Sequence, residues 1–134
     1  MVMTKLWYLA SPYAKYPDGV QAAHEAVCKE AGLLAKNGIY TFCPMAHMHP
    51  IDMLTGFQFD TMDETYDFWL GWDKLFLDKC YGIIVSKLPS WETSRGVNWE
   101  IEYMKKQMKP HIYMEPGIIP QELLNQERVY VRVS

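Results

Sequence analysis

At 134 residues, with 49% hydrophobic and 22% charged side chains, the chain has the size of one domain and is too apolar to be disordered. A net charge of −3 argues against broad binding to a nucleic-acid polymer, but not against a small anion held locally. No apolar stretch approaches the roughly 18 residues of a membrane span, the three cysteines form no CxxC pair, and the first residues lack a signal-peptide layout, so a cytoplasmic setting is expected.

Lys5 to Ala10 reads as a first buried strand, ended by Ser11-Pro12-Tyr13. Pro17 suits the first turn of a helix, whose apolar face continues through Val20, Ala23, Val27, Ala31 and Leu34 until Asn37-Gly38 stops it. Ile39 to Cys43 is a short second strand closed by Pro44. Met45 to Asp60 is rich in Met, His and Phe but has little periodicity. It is either a long lid-like binding loop or a short irregular helix packed on the core. Thr61 to Cys80 returns to helical spacing, and Tyr81 to Val85 is a third and strongly apolar strand. A polar loop from Lys87 to Arg95 leads into a helix that begins near Ser94 and ends at Lys109-Pro110. Ile112 to Met114 is a fourth strand and Gln121 to Gln126 a weak helix. Val129 to Val133 alternates, as an edge strand, a partner-contacting arm or a loose tail would.

Short apolar strands alternating with amphipathic helices predict an α/β fold, a doubly wound parallel sheet of four or five strands with helices on both faces. The expected organisation is one domain over 1–134, with a core from about 5 to 114 and a C-terminal tail over 115–134. In such sheets ligands bind beyond the carboxyl ends of the strands, where the strand order reverses. Ala10-Ser11-Pro12 and Ser86 to Glu100 are the segments expected to flank that crevice.

Two acids break the helical pattern. Asp73 has Trp69, Leu70, Phe76 and Leu77 at three and four residues on either side. Glu100 has Gly96, Val97, Tyr103 and Met104 at the same offsets, and no basic residue. Nearby Glu102 instead faces Lys105 and Lys106, as a solvated helical acid does. A carboxylate on an apolar stripe must find a partner, shift its pKa or face a cavity. Each acid is therefore either capped by a neighbouring donor or part of a site. As a site, Glu100 would serve as nucleophile or base, and Asp73, in a drier setting, would protonate a leaving group or orient a sugar hydroxyl. Tyr8 would either position Glu100 or simply fill the core.

The expected phosphate-binding groups are Ser11 and Pro12 at the first strand end, with Ser94, Arg95 and Gly96 at the start of the Glu100 helix. The chain contains no GxGxxG, Walker, HExxH or GxSxG motif. His47 and His49 form an HxH pair without a third ligand at recognisable spacing, since Asp52 is a weak candidate. They are expected to be lid residues, with no metal and no cofactor.

The segments YLASPY (Tyr8–Tyr13), FCPMAHMHP (Phe42–Pro50) and SRGVNWE (Ser94–Glu100), together with the Asp73 helix, resemble the nucleoside 2-deoxyribosyltransferase-like superfamily. That superfamily includes deoxynucleoside 5′-monophosphate N-glycosidases, and the likeness is to a small bacterial and phage branch over roughly residues 5 to 114. The resemblance implies a flavodoxin-like, Rossmann-like fold and cleavage of an N-glycosidic bond. It implies Glu100 as nucleophile at C1′, Asp73 at the sugar or base, and Tyr8 orienting the glutamate. Ser94 stands where the transferases typically carry an aspartate and the monophosphate hydrolases a phosphate-binding serine, so the likeness leans toward the hydrolases. The implied partners are a nucleoside or nucleotide and further copies of the chain, as a dimer or tetramer. The HMH loop departs from the better-known members. A non-catalytic nucleotide-sensing module, a metal-dependent hydrolase and a purely structural subunit are the competing expectations.

Overall fold

A computed structural model describes residues 4–125. Four strands, β1 (Leu6–Ala10), β2 (Tyr40–Phe42), β3 (Gly82–Ser86) and β4 (His111–Met114), form one all-parallel sheet in the order β2-β1-β3-β4. β3 is buried along its whole length, which explains its unbroken apolar run: a central parallel strand is covered on both faces. β1, its neighbour, pairs Tyr8 with Ile83 and Ala10 with Val85.

The side chains of these strands alternate between two cores. Trp7, Leu9 and Ile84 pack with Val27 and Leu34 of α1 (Val20–Lys36), and with Met45 and Ala46 of α2 (Pro44–Thr55). Tyr8, Ala10, Ile83 and Val85 pack with Leu77 of α3 (Met62–Lys79), and with Val97, Ile101 and Met104 of α4 (Arg95–Lys106). The fold is thus the expected doubly wound α/β sheet, and its order reverses between β1 and β3.

Local chemistry fixes the helix starts that matter for the site. Thr61 caps α3 by accepting from the Glu64 amide at 3.0 Å, and its hydroxyl donates to Glu64 Oε1 at 3.0 Å. Ser94 Oγ caps α4 by accepting from the Val97 amide at 3.3 Å. At the other end of α3, Lys109 Nζ donates to the carbonyls of Leu77 and Asp78 at 2.9 and 3.0 Å.

One expectation is corrected and two are resolved. Pro17 lies outside α1, which begins only at Val20, because Gly19 at φ 94° turns the chain into the helix from the left-handed side. Residues 44–55 are helical: Pro44 opens α2, Pro50 sits inside it, and Gly56 ends it in the left-handed conformation, leaving 56–61 as the connector to α3. After β4 the expected weak helix near Gln121 forms and packs on the core. The short helix α5 (Gln121–Leu124) puts Leu123 into the α1 core, with Ile119 packed against it. Buried Glu30 of α1 holds the intervening turn, accepting from the Gly117 amide at 3.0 and 3.1 Å and from Ser86 Oγ at 3.4 Å. The alternating Val129–Val133 segment lies outside the described residues.

Candidate functional site

Beyond the carboxyl ends of β1 and β3 lies a cavity of about 590 Å³, within the range of pockets that enclose a nucleotide-sized ligand. Its walls come from the β1–α1 loop, α2, the connector, α3 and α4. Met45, Met48, Phe57, Trp69, Leu70 and Val97 make an apolar lining, against which polar groups gather in small numbers.

Glu100 and Asp73 both line this cavity, and both are buried, at 4% and 6% exposure. They arrive from two different helices packed on the same face of the sheet. Neither belongs to an ion pair among the described residues. The Tyr8 hydroxyl, fully buried in β1, donates to Glu100 Oε2. Burial drives Glu100 well above its ordinary value, with the charge of Asp73 adding to the rise and the Tyr8 hydrogen bond opposing it. Burial lifts Asp73 to about 7, again with Tyr8 pulling the other way. Tyr8 is itself raised, first by burial and then by the two acids, so its proton stays in place to be donated. Two acids this close titrate as a pair.

Ser11, Ser94, Arg95 and Gly96 line the same cavity as the acids. Ser11 is buried and its Oγ has no hydrogen-bond partner. Pro12 is buried but does not line the cavity, and Tyr8 reaches it only through Glu100.

His47 and His49, the expected lid residues, sit on α2, which walls the cavity, but are not themselves among the lining residues. His47 projects from the side of α2 opposite Met45, Met48 and Asp52, whereas His49, four residues from Met45 and three from Asp52, flanks that side. His47 stacks on Trp72 at 5.6 Å. His49, 2% exposed, meets Gln21 Oε1 at 2.8 Å through Nε2 and the Tyr13 hydroxyl at 2.6 Å through Nδ1. An amide oxygen can only accept, so Nε2 carries the ring proton and Nδ1 takes the Tyr13 proton. His49 thus braces the β1–α1 loop, whose Tyr13 does line the cavity. Among the described residues no group of three or more His, Cys, Asp or Glu side chains is placed to hold a metal ion.

Sequence reasoning missed Tyr66 and Lys15, and considered Asp52 only as a weak metal ligand; all three line the cavity. For Tyr66 a signal existed: it lies seven residues, about two turns, before Asp73 and so shares its face of α3. Only Asp73 and Leu77 of α3 are buried, because its N-terminal half walls the cavity rather than covering the sheet.

Residues 5–115 match the family described as a domain of unknown function, DUF1937, and the chain belongs to that family. No curated protein matches the chain. Among the described residues no helix is long and apolar enough to cross a membrane.

Proposed function

We propose that this protein breaks the N-glycosidic bond of a nucleoside or a (deoxy)nucleoside 5′-monophosphate, or transfers its sugar, with Glu100 as the carboxylate nucleophile. The observation that carries this reading is the convergence of buried Glu100 and Asp73 on one cavity of about 590 Å³, with neither in an ion pair among the described residues. Raised carboxylates in a cleft are tuned for chemistry more often than for stability. The sheet order and the likeness of YLASPY and SRGVNWE to the nucleoside 2-deoxyribosyltransferase-like superfamily support the same chemistry.

As the bond from C1′ to the base stretches, positive charge grows on the sugar, and a desolvated carboxylate stabilises it strongly. The two acids share a proton near neutrality. The Tyr8 hydrogen bond is stronger to a carboxylate than to a carboxyl and so favours the ionised form of Glu100, and the reaction draws on the microstate in which Glu100 is the carboxylate and Asp73 the acid. Glu100 attacks C1′, the C1′–N bond breaks with its electron pair going to the base, and Asp73 gives the base its proton. The resulting glycosyl ester is then opened by water, or by a second base, whose proton returns to Asp73 as Glu100 leaves. Ser94, Arg95 and the first amides of α4 would hold a 5′-phosphate where one is present.

The test is release of free base from a panel of deoxynucleosides and their 5′-monophosphates, with wild type and Glu100→Ala assayed side by side. Absence of release by wild type, or equal release by the variant, rejects the proposal. Tight nucleotide binding without release would instead favour a non-catalytic sensing module. That module would be expected to lock Glu100 in an ion pair, and none involves Glu100 among the described residues. Assembly into a dimer or tetramer is part of the proposal; exposed Leu54, Met62, Phe68 and Leu75 supply apolar surface for it.

A further inference from the structure

Tyr66 presents a problem that the glycosidic chemistry does not solve. Its hydroxyl oxygen is buried and has no hydrogen-bond partner, and the residue lines the cavity. A buried hydroxyl left unpaired is costly, and natural proteins keep few of them. The oxygen sits above the first turn of α4, where a Cβ on Gly96 would lie 3.9 Å from it. The Arg95 guanidinium stacks on the Tyr66 ring at 4.2 Å and makes no ion pair among the described residues. Arg95 and Gly96 open α4, so their own amides have no partner within the helix. A second orphan hydroxyl, that of Ser11, which is 5% exposed, faces the same cavity. A cation without an ion pair among the described residues, open helix amides and two unsatisfied hydroxyls therefore belong to residues that line one cavity, and what they lack in common is an acceptor.

We propose that Tyr66 is a specificity-determining residue whose hydroxyl donates to an anionic oxygen of the ligand, a phosphoryl group, at a subsite completed by Arg95, the first amides of α4 and Ser11. The hydroxyl is fit for donation because burial, its largest influence, keeps it protonated, with Arg95 opposing and Glu100 and Asp73 assisting. The ring holds Arg95 in place without consuming its hydrogen-bonding groups, leaving the guanidinium free for the same anion. Phosphate is preferred to a neutral sugar hydroxyl because the Arg95 guanidinium carries a positive charge and, like the first amides of α4, can only donate. The inference rests on the nucleotide reading of the cavity, but not on turnover.

Calorimetric titration of the full chain tests it, using a 2′-deoxynucleoside 5′-monophosphate, the matching nucleoside and inorganic phosphate against wild type, Tyr66→Phe and Arg95→Ala. Wild type should bind the monophosphate at least roughly tenfold more tightly than the nucleoside. Tyr66→Phe should weaken the monophosphate by about tenfold and leave the nucleoside within about twofold. Arg95→Ala should lose the same discrimination. Inorganic phosphate should compete with the monophosphate and not with the nucleoside. Thermal unfolding separates this role from a structural one. A hydroxyl with no partner in the empty protein leaves nothing to lose, so Tyr66→Phe should match or exceed the wild-type midpoint. Equal affinity of wild type for nucleoside and monophosphate, absence of monophosphate binding, unchanged discrimination in Tyr66→Phe, or a lowered midpoint would each overturn the proposal. Discrimination without base release would leave Tyr66 assigned while rejecting glycosidase activity.

Discussion

Tyr8 and Glu100 stand 92 residues apart in sequence, yet the Tyr8 hydroxyl donates directly to a Glu100 carboxylate oxygen. The link joins the sheet to α4 and sets the one orienting contact on the proposed nucleophile. Tyr8→Phe keeps the ring and removes only the donor. The buried carboxyl it strands costs about 1–3 kcal/mol of stability, readable in the urea midpoint. Since Tyr8 holds Glu100 down, its loss pushes Glu100 further up, and the acid limb of base release should move to higher pH.

Asp73 makes stability depend on pH in a direction opposite to that of most carboxylates. Its folded pKa, about 7, lies above the ordinary value of 3.8, so between those limits the native state holds a proton that the unfolded chain has released. Stability is therefore greatest below pH 4 as far as this group is concerned, falls as pH rises to about 7, and levels off above. The fall should be on the order of a few kcal/mol. Urea titrations at several pH values should show that slope in wild type and a shallower one in Asp73→Asn. An identical slope in both proteins would remove the claim.

Glu100→Gln should separate function from stability. The amide cannot attack C1′, so base release should drop by roughly three orders of magnitude or more. The same change removes a carboxylate that burial disfavours, so the unfolding free energy at pH 8 should equal or exceed that of wild type. Loss of both activity and stability would mark Glu100 as a structural acid.

The strands and the Glu100 helix were legible because their signals are local. Ile83, Ile84 and Val85 can only be a covered strand, and Ser94 before a helical stripe is a cap in any fold. The acid pair was legible because Asp73 and Glu100 each interrupt an apolar stripe. α2 was ambiguous for a physical reason: it is apolar on several sides, contains Pro50, and uses Met48 for the cavity and His49 for the loop, so no single periodic face exists. Tyr66 was hidden because an aromatic on a helical stripe looks the same whether it meets a sheet or an empty space. That difference lies in where the chain's other segments stop.

Gly82 should resist substitution although it lies in a regular strand. An added Cβ would sit 2.6 Å from both the Pro110 carbonyl and the Trp7 ring. The Pro110 carbonyl is backbone and accepts from the Ile83 amide at 2.9 Å, so it cannot retreat without breaking β3 from its neighbour. Gly82→Ala should cost about 1–3 kcal/mol, seen as a lowered thermal midpoint. A neutral result would mean that β3 has slack there.

Glu30 sets where the domain physically finishes. The family likeness stops at residue 115, two positions short of the amide that Glu30 holds, and Leu123 is packed into the α1 core beyond that. A protein cut at residue 115 would retain every group lining the cavity, yet leave an anion walled in with only Ser86 as donor and a hole where Leu123 had been. Such a fragment should aggregate or unfold on purification, and its silence in any assay would say nothing about the chemistry of Glu100.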